Sequence, residues 1–430
     1  MTTRIMGRRL GAVAVLLLCA MAMQTHAAII TVTNTNDSGP GSLRQALANA
    51  NNGDTINFAV AGTITLTSGG LVIDDNVTIS GPGAGELSID GKQTQMCVFG
   101  VAAARTVTIS GLTISNGACG IFCDHSTLTV SNCVVTGNSS YGGVSINDVH
   151  GPATRVERRN SRRDAQKVDR PFAGNSLTIA NSVVSHNAGP GVNNVSAMVT
   201  ILNSTISGNS TGQDWGYGGG IYSSGTKFPG NLIVNSSTIS GNSALYSGGG
   251  IACGISFLTI TNSTISGNST GDPDYGDGGG ISASSMTIAN STVTGNSAAV
   301  CGGVCGGTVD IGNTILSANA SGNIDGTVTS HGYNISSDDG GGHLNGPGDQ
   351  INTDPLLGPL HDNGGPTLTH LPSPGSPAIE AGDPNFTPPP FRDQRGPCFY
   401  RVFGRRIDVG SVETQPGPRC PTPKPRPTPH

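Results

Sequence analysis

The chain has 430 residues, of which 65 are Gly, 11% are charged and 4% are aromatic, and its formal net charge is −5. Abundant turn formers and scarce helix formers exclude a helical bundle, and the lack of a Gly-X-Y period excludes collagen. Apolar residues make up 35%, many of them Val and Ile, which excludes wholesale disorder, and so little charge of either sign argues against a nucleic-acid surface.

In chain order, the first element reads as an export signal. Arg4, Arg8 and Arg9 precede an apolar run from Leu10 to Met23, and Thr25-His26-Ala27 supplies a small-residue cleavage site. The run is too short for a membrane span, and no later run approaches that length. Nine cysteines follow Cys19, so an exported chain is free to form disulfides, with at least one thiol left over. The pairs Cys119/Cys123 and Cys301/Cys305 match neither a zinc knuckle nor a redox motif. On one extended strand their Cα atoms would lie roughly 13 Å apart, too far to bridge. Strands stacked about 4.8 Å apart are close enough for a cross-rung disulfide.

Ser42 and Gln45 form a capping box. Leu43, Ala46, Leu47 and Ala50 then fall on one helical face, and Asn52-Gly53 stops it. A degenerate unit recurs after that. Leu177-Thr-Ile-Ala-Asn-Ser-Val-Val-Ser-His-Asn187 returns as Val199-Thr-Ile-Leu-Asn-Ser-Thr-Ile-Ser-Gly-Asn209, and further copies end at Asn138, Asn242, Asn268, Asn296 and Asn319. The terminal Asn residues are spaced 49, 22, 33, 26, 28 and 23 apart, the mark of a solenoid with variable insertions. Within one unit Leu258 and Ile260 alternate with Thr and point inward, Asn262 sits at a sharp bend, Ile265 points inward from a second strand, and Gly267-Asn268 makes a second corner. Glycine runs then lead into a third strand, as in Gly218-Gly-Gly-Ile221, Gly248-Gly-Gly-Ile251 and Gly278-Gly-Gly-Ile281. Three short strands per rung define an all-β parallel β-helix, with Asn side chains stacked at equivalent corners and the Ser42 helix as its N-terminal cap. Residues 155–170 hold seven of the 22 Lys and Arg. They read as a solvated excursion, the alternative being a basic loop for an anionic glycan or lipid. The Pro-rich end reads as a spacer.

These repeats resemble the pectate-lyase-like superfamily of right-handed parallel β-helices. Gly241-Asn-Ser-Ala-Leu-Tyr-Ser-Gly-Gly-Gly-Ile251 is also similar to repeats of chlamydial polymorphic outer-membrane proteins. Thr31 to Ala46 resembles the N-terminal segment of bacterial surface β-helix proteins, with Gly41 and Gln45 where Cys and Glu are found in some of them. Asn352-Thr-Asp-Pro-Leu-Leu-Gly-Pro-Leu360, Asp362-Asn-Gly-Gly-Pro366, Pro374-Gly-Ser-Pro-Ala-Ile-Glu-Ala-Gly-Asp383, Asp393-Gln-Arg-Gly396 and Asp408-Val-Gly410 resemble the choice-of-anchor Q domain. The resemblance implies an exported bacterial protein at the cell surface, and it carries over no shared catalytic residues. The expected organisation is a signal peptide over 1–27 and a cap with the first rungs over 28–100. The repeat body follows over 101–320, with a basic insertion at about 151–174. An anchor-like segment covers 321–413 and a Pro-rich tail 414–430, in which no sortase-type motif or hydrophobic anchor is visible.

The superfamily includes lyases and hydrolases. A pectate-type lyase needs a base and usually calcium. Between Ser176 and Ala320 the only Lys or Arg is Lys227, and the acids are Asp214, Asp272, Asp274, Asp277 and Asp310, which argues against a lyase. A hydrolase needs two spaced carboxylates, for which Asp214, Asp274 and Asp277 are the candidates. Asp272, Asp274 and Asp277 are the calcium candidates, although they lack ordered loop spacing; no other cofactor is expected. Tyr141, Trp215, Tyr217, Tyr246 and Tyr275 all precede glycine runs and are the candidates for a carbohydrate platform. The expectation is a secreted or surface-held, non-catalytic, adhesin-like β-helix that contacts extracellular polysaccharide or a host surface. The alternatives are a secreted polysaccharide hydrolase and a purely structural spacer.

Overall fold

A computed structural model describes residues 27–93, 95–147, 175–212, 216–225 and 231–417. Residues 1–26 of the export signal, the whole basic insertion, Asp214, Trp215, Lys227 and residues 418–430 lie outside the described residues. Among the described residues no helix is long and apolar enough to cross a membrane.

The repeats wind into a parallel β-helix. One face is a sheet of eleven short strands running from Gly62–Thr65 through Thr238–Ser240, Thr264–Ser266 and Thr292–Thr294 to Ile335–Ser336, all paired in parallel. The second sheet has 18 strands and combines the other two strands of each rung. In early rungs these are separate, as in Ile121–Asp124 and Thr127–Ser131. From Ile251–Thr261 onward they run together, with a register irregularity between Cys253 and Phe257 marking the old boundary. Paired strands continue past residue 320, through Ile324–Gly332 to Ser336.

Inside, one apolar residue stacks on the next: Ile201, Val234, Ile260, Ile288 and Ile311 follow one another in register and are fully buried. Each contributes about 1.5–3 kcal/mol by burial. Ordering costs about 1–2 kcal/mol per residue, so a rung is stable only when stacked on its neighbours.

The corners follow the sequence closely. Asn181, Asn203, Asn262, Asn290 and Asn313 adopt φ between 46° and 55°, the left-handed bend that Asn tolerates. At the second corner Asn187, Asn209, Asn242, Asn268, Asn296 and Asn319 form a continuous ladder. Each amide Nδ2 donates to the Oδ1 of the next rung at 2.8–3.0 Å, and the ladder closes on Asn323.

The predicted cap is the helix Leu43–Asn49. Ser42 Oγ accepts the backbone N–H of Gln45 at 3.2 Å, and Leu43 and Ala46 are buried against the first rungs. The reciprocal half of the capping box is missing, because the Gln45 side chain donates to Asn49 instead. Asp37 ties the cap down. Burial opposes its ionisation, but hydrogen bonds from Ser68, Arg44 and Thr67 outweigh that and hold its carboxyl far below the usual carboxylate range.

Cysteines bridge in two ways. Cys97–Cys119 joins neighbouring rungs with Cα atoms 4.3 Å apart, the expected cross-rung geometry. Cys301–Cys305 also bridges, contrary to the extended-strand argument. Cys301 lies before the strand, in a bend through Gly302-Gly303, which shortens the Cα separation to 6.1 Å. Cys123, Cys133 and Cys253 are buried free thiols.

After the last rung the chain forms an antiparallel hairpin, Leu357–His361 with Thr369–Pro372, and folds back along the outside of the eleven-stranded sheet. Thr238 donates to Leu368 O at 2.6 Å, Thr264 to Gln394 Oε1 at 2.6 Å, and Asn313 to Asp408 O at 3.1 Å.

Candidate functional site

The glycine runs fix the geometry of the opposite face. Gly218, Gly248 and Gly278 have φ of 61°, 64° and 56°. A Cβ on Gly220 or Gly250 would lie 2.5 Å from the carbonyl oxygen of the glycine one rung on. Only glycine therefore lets these turns stack directly, and side chains on either side of the run are held in columns.

One column is the outward position after each buried Ile or Val: Tyr222, Ala252, Ser282, Cys305 and Asp325, paired in parallel register. The other is the residue just before each run. Tyr217 bridges Ser247, and Ser247 bridges Asp277. Together the columns enclose an open groove of about 620 Å³. Its floor is made of small residues, including Ala252, Gly254, Ser282 and Gly306, with Tyr217 and Tyr222 at one end and Asp325 at the other. From Tyr222 to Asp325 is four rungs, roughly 19 Å at about 4.8 Å per rung.

Of the aromatic candidates, Tyr217 and Tyr246 come together, with ring centroids 5.7 Å apart. Tyr222, which is not among the sequence candidates, joins them 6.5 Å from Tyr217. Its signal was its place one residue after the buried Ile221, which alternation turns outward. Tyr275 stands apart on the loop 271–277, 80% exposed. Tyr141 precedes the strand Val144–Asn147, two rungs before Tyr222 in register.

The acidic candidates divide. Asp272 Oδ1 accepts the N–H groups of Asp274 and Tyr275 at 3.0 and 2.8 Å, so it shapes its own loop. Asp274 is exposed on that loop. Asp277 lines the groove, and its buried Oδ1 has no hydrogen-bond partner among the described residues. Asp325, absent from the sequence candidates, supplies the second carboxylate. The two belong to rungs two steps apart, so their backbones are separated by roughly 10 Å along the axis, slightly beyond the roughly 6.5–9.5 Å between the carboxylates of an inverting pair. Among the described residues no three His, Cys, Asp or Glu side chains gather to hold a metal ion.

The acids whose values are raised lie elsewhere, within the C-terminal segment. Burial pushes the Glu413 carboxyl up to about 9, with the neighbouring Asp408 adding to it. Burial likewise raises Asp408 and lowers Arg401, which is fully buried. These groups bond backbone: Arg401 donates to Asp408 O at 2.8 Å, and Glu413 accepts the Asp408 N–H at 3.0 Å. Through these bonds they hold the turns of the C-terminal segment together.

No family model matches the chain, and no curated protein matches it. Among solved structures it is similar to the pectate lyase Pel9A, at 14% identity and a TM-score of 0.51, over 91% of this chain and 97% of that one. A mannuronic acid-specific family 6 polysaccharide lyase from human gut microbiota aligns at 10% identity and a TM-score of 0.35, over 72% and 86% of the two chains. The A-module of an Azotobacter vinelandii mannuronan C-5 epimerase aligns at 16% identity and a TM-score of 0.30, over 75% and 95%. The first of these likenesses is one of fold, that of a right-handed parallel β-helix.

Proposed function

We propose that this is a secreted or surface-held, non-catalytic β-helix protein that holds a linear glycan in the groove between Tyr217 and Asp325. The observation that carries this reading is the groove itself. It runs across successive rungs, its floor is too small-sided to obstruct a chain, and a tyrosine cluster at one end offers ring faces to sugar rings. An extended groove suits a polymer better than a single sugar. The distance between its carboxylates favours binding over hydrolysis. Export follows from the Arg4-to-Ala27 pattern, and attachment at a bacterial surface, including an anchoring role for the segment after residue 321, follows from the choice-of-anchor resemblance.

The test is calorimetric titration of the full chain with oligosaccharides of pectate, mannan, cellulose and chitin type, beside a reducing-end assay on the same panel. Binding without new reducing ends is expected. Tyr217→Ala combined with Tyr222→Ala should weaken binding by roughly tenfold or more, since each aromatic contact is worth about 0.5–1.5 kcal/mol beyond its buried area. Undiminished binding by that variant, or release of reducing ends by the wild type, would count against the proposal.

A further inference from the structure

We infer that the groove selects glycans by charge, taking an amino-sugar polymer with protonated amines and rejecting a polyuronate. This rests on the glycan reading above and names its substrate class. The described lining carries two carboxylates, Asp277 and Asp325, and no Lys, Arg or His. A uronate chain laid along it would bring a carboxylate on each sugar toward two like charges with no described cation to offset them. Like charges held close in a partly desolvated groove repel strongly.

Asp277 sharpens the choice. A carboxylate oxygen is acceptor-only, and a buried acceptor without a partner is costly. Its Oδ1 is in that condition among the described residues but is closed off from solvent, so the side chain meets the groove through its other oxygen. A group that pairs with that second carboxylate oxygen must be a donor, and a charged donor pairs best. An ammonium carries three N–H donors and a positive charge. The rings of Tyr217 and Tyr222 at one end of the lining also attract cations. A neutral sugar offers hydroxyl donors without the charge, and a uronate offers the wrong charge. The lining therefore ranks ligands as amino-sugar polymer, neutral polymer, polyuronate.

The test titrates the full chain with glucosamine oligomers, N-acetylglucosamine oligomers of equal length and oligogalacturonate. It is run at low salt and at a pH where the amines are protonated. The glucosamine oligomer is expected to bind at least tenfold more tightly than its acetylated counterpart, and oligogalacturonate most weakly. Asp277→Asn, which keeps the shape, should remove most of the preference of the amine oligomer over its acetylated counterpart. Raised salt should narrow the gap. Equal affinity for the amine and acetylated oligomers would overturn the charge inference and leave the glycan groove standing, as would tighter binding of oligogalacturonate. Failure of all three to bind would overturn both.

Discussion

Arg395→Ala is expected to loosen the C-terminal segment by about 3–5 kcal/mol, the cost of stranding one member of a buried ion pair. Asp393 and Arg395 are almost fully buried, with Nη2 2.6 Å from Oδ2. The guanidinium also donates to Glu413 O at 2.5 Å and lies 3.9 Å above the centre of the Phe399 ring. Asp393 Oδ2 in turn accepts the Glu413 N–H at 2.9 Å. This one pair therefore joins the 393–396 turn to residue 413. Between its two charged members Gln394 reaches the solenoid, donating to Thr238 Oγ1 at 2.8 Å. Removing the guanidinium leaves the Asp393 carboxylate with two backbone N–H groups and only the more distant charge of Arg401. Hydrogen exchange in the hairpin Leu357–His361 with Thr369–Pro372 should then accelerate by roughly 100- to 4,000-fold, while Thr106–Ser110 exchanges as before. Unchanged exchange in the hairpin would mean that the pair does not hold the segment in place.

Asn242→Ala is expected to cost roughly 3 kcal/mol, because it opens the Asn ladder from both sides. Asn242 Oδ1 accepts both the backbone N–H and the side-chain amide of Asn209 at 3.0 Å, and its own amide donates to Asn268 Oδ1 and to Ile206 O at 3.0 and 2.9 Å. The site is buried, so the freed Asn209 N–H finds no water, and each stranded group costs about 1–3 kcal/mol. Asn242→Asp should be worse. It keeps the acceptor for Asn209 but sets a second acceptor against Asn268 Oδ1 and Ile206 O. Exposed Asn231→Ala is the control and should change stability by under about 0.5 kcal/mol. Guanidinium unfolding that ranks the aspartate variant above the alanine variant would contradict this reading of the ladder's polarity.

Both predictions rest on features that differ in how far they were legible in the sequence. The ladder was readable because Asn recurs at a fixed place relative to Thr-Ile-Ser, and a repeated local motif needs only nearest-neighbour stacking to become a structure. The left-handed bends at Asn181 or Asn262 were readable for the same reason. The clamp at Asp393 and Arg395 was visible as a motif but not as a contact, because its partners on the solenoid lie about 130 to 157 residues away and no periodicity links them. Those motif residues are occupied in packing the segment against the rungs.

The groove was half legible. Tyr217, Tyr246 and Asp277 stood out by residue type. Tyr222 and Asp325 did not, because seeing them requires aligning outward positions on different rungs across loops of unequal length. The Cys301–Cys305 bridge escaped an argument that assumed an extended strand where Gly302-Gly303 makes a bend.

The most direct test of the groove is to fill it. Ser282 faces outward in mid-floor, between Ala252 and Cys305 in register. Ser282→Trp should lower the affinity for glucosamine and N-acetylglucosamine oligomers at least tenfold in calorimetric titration, with the unfolding midpoint unchanged. Wild-type affinity with the tryptophan in place would show that the glycan does not lie there.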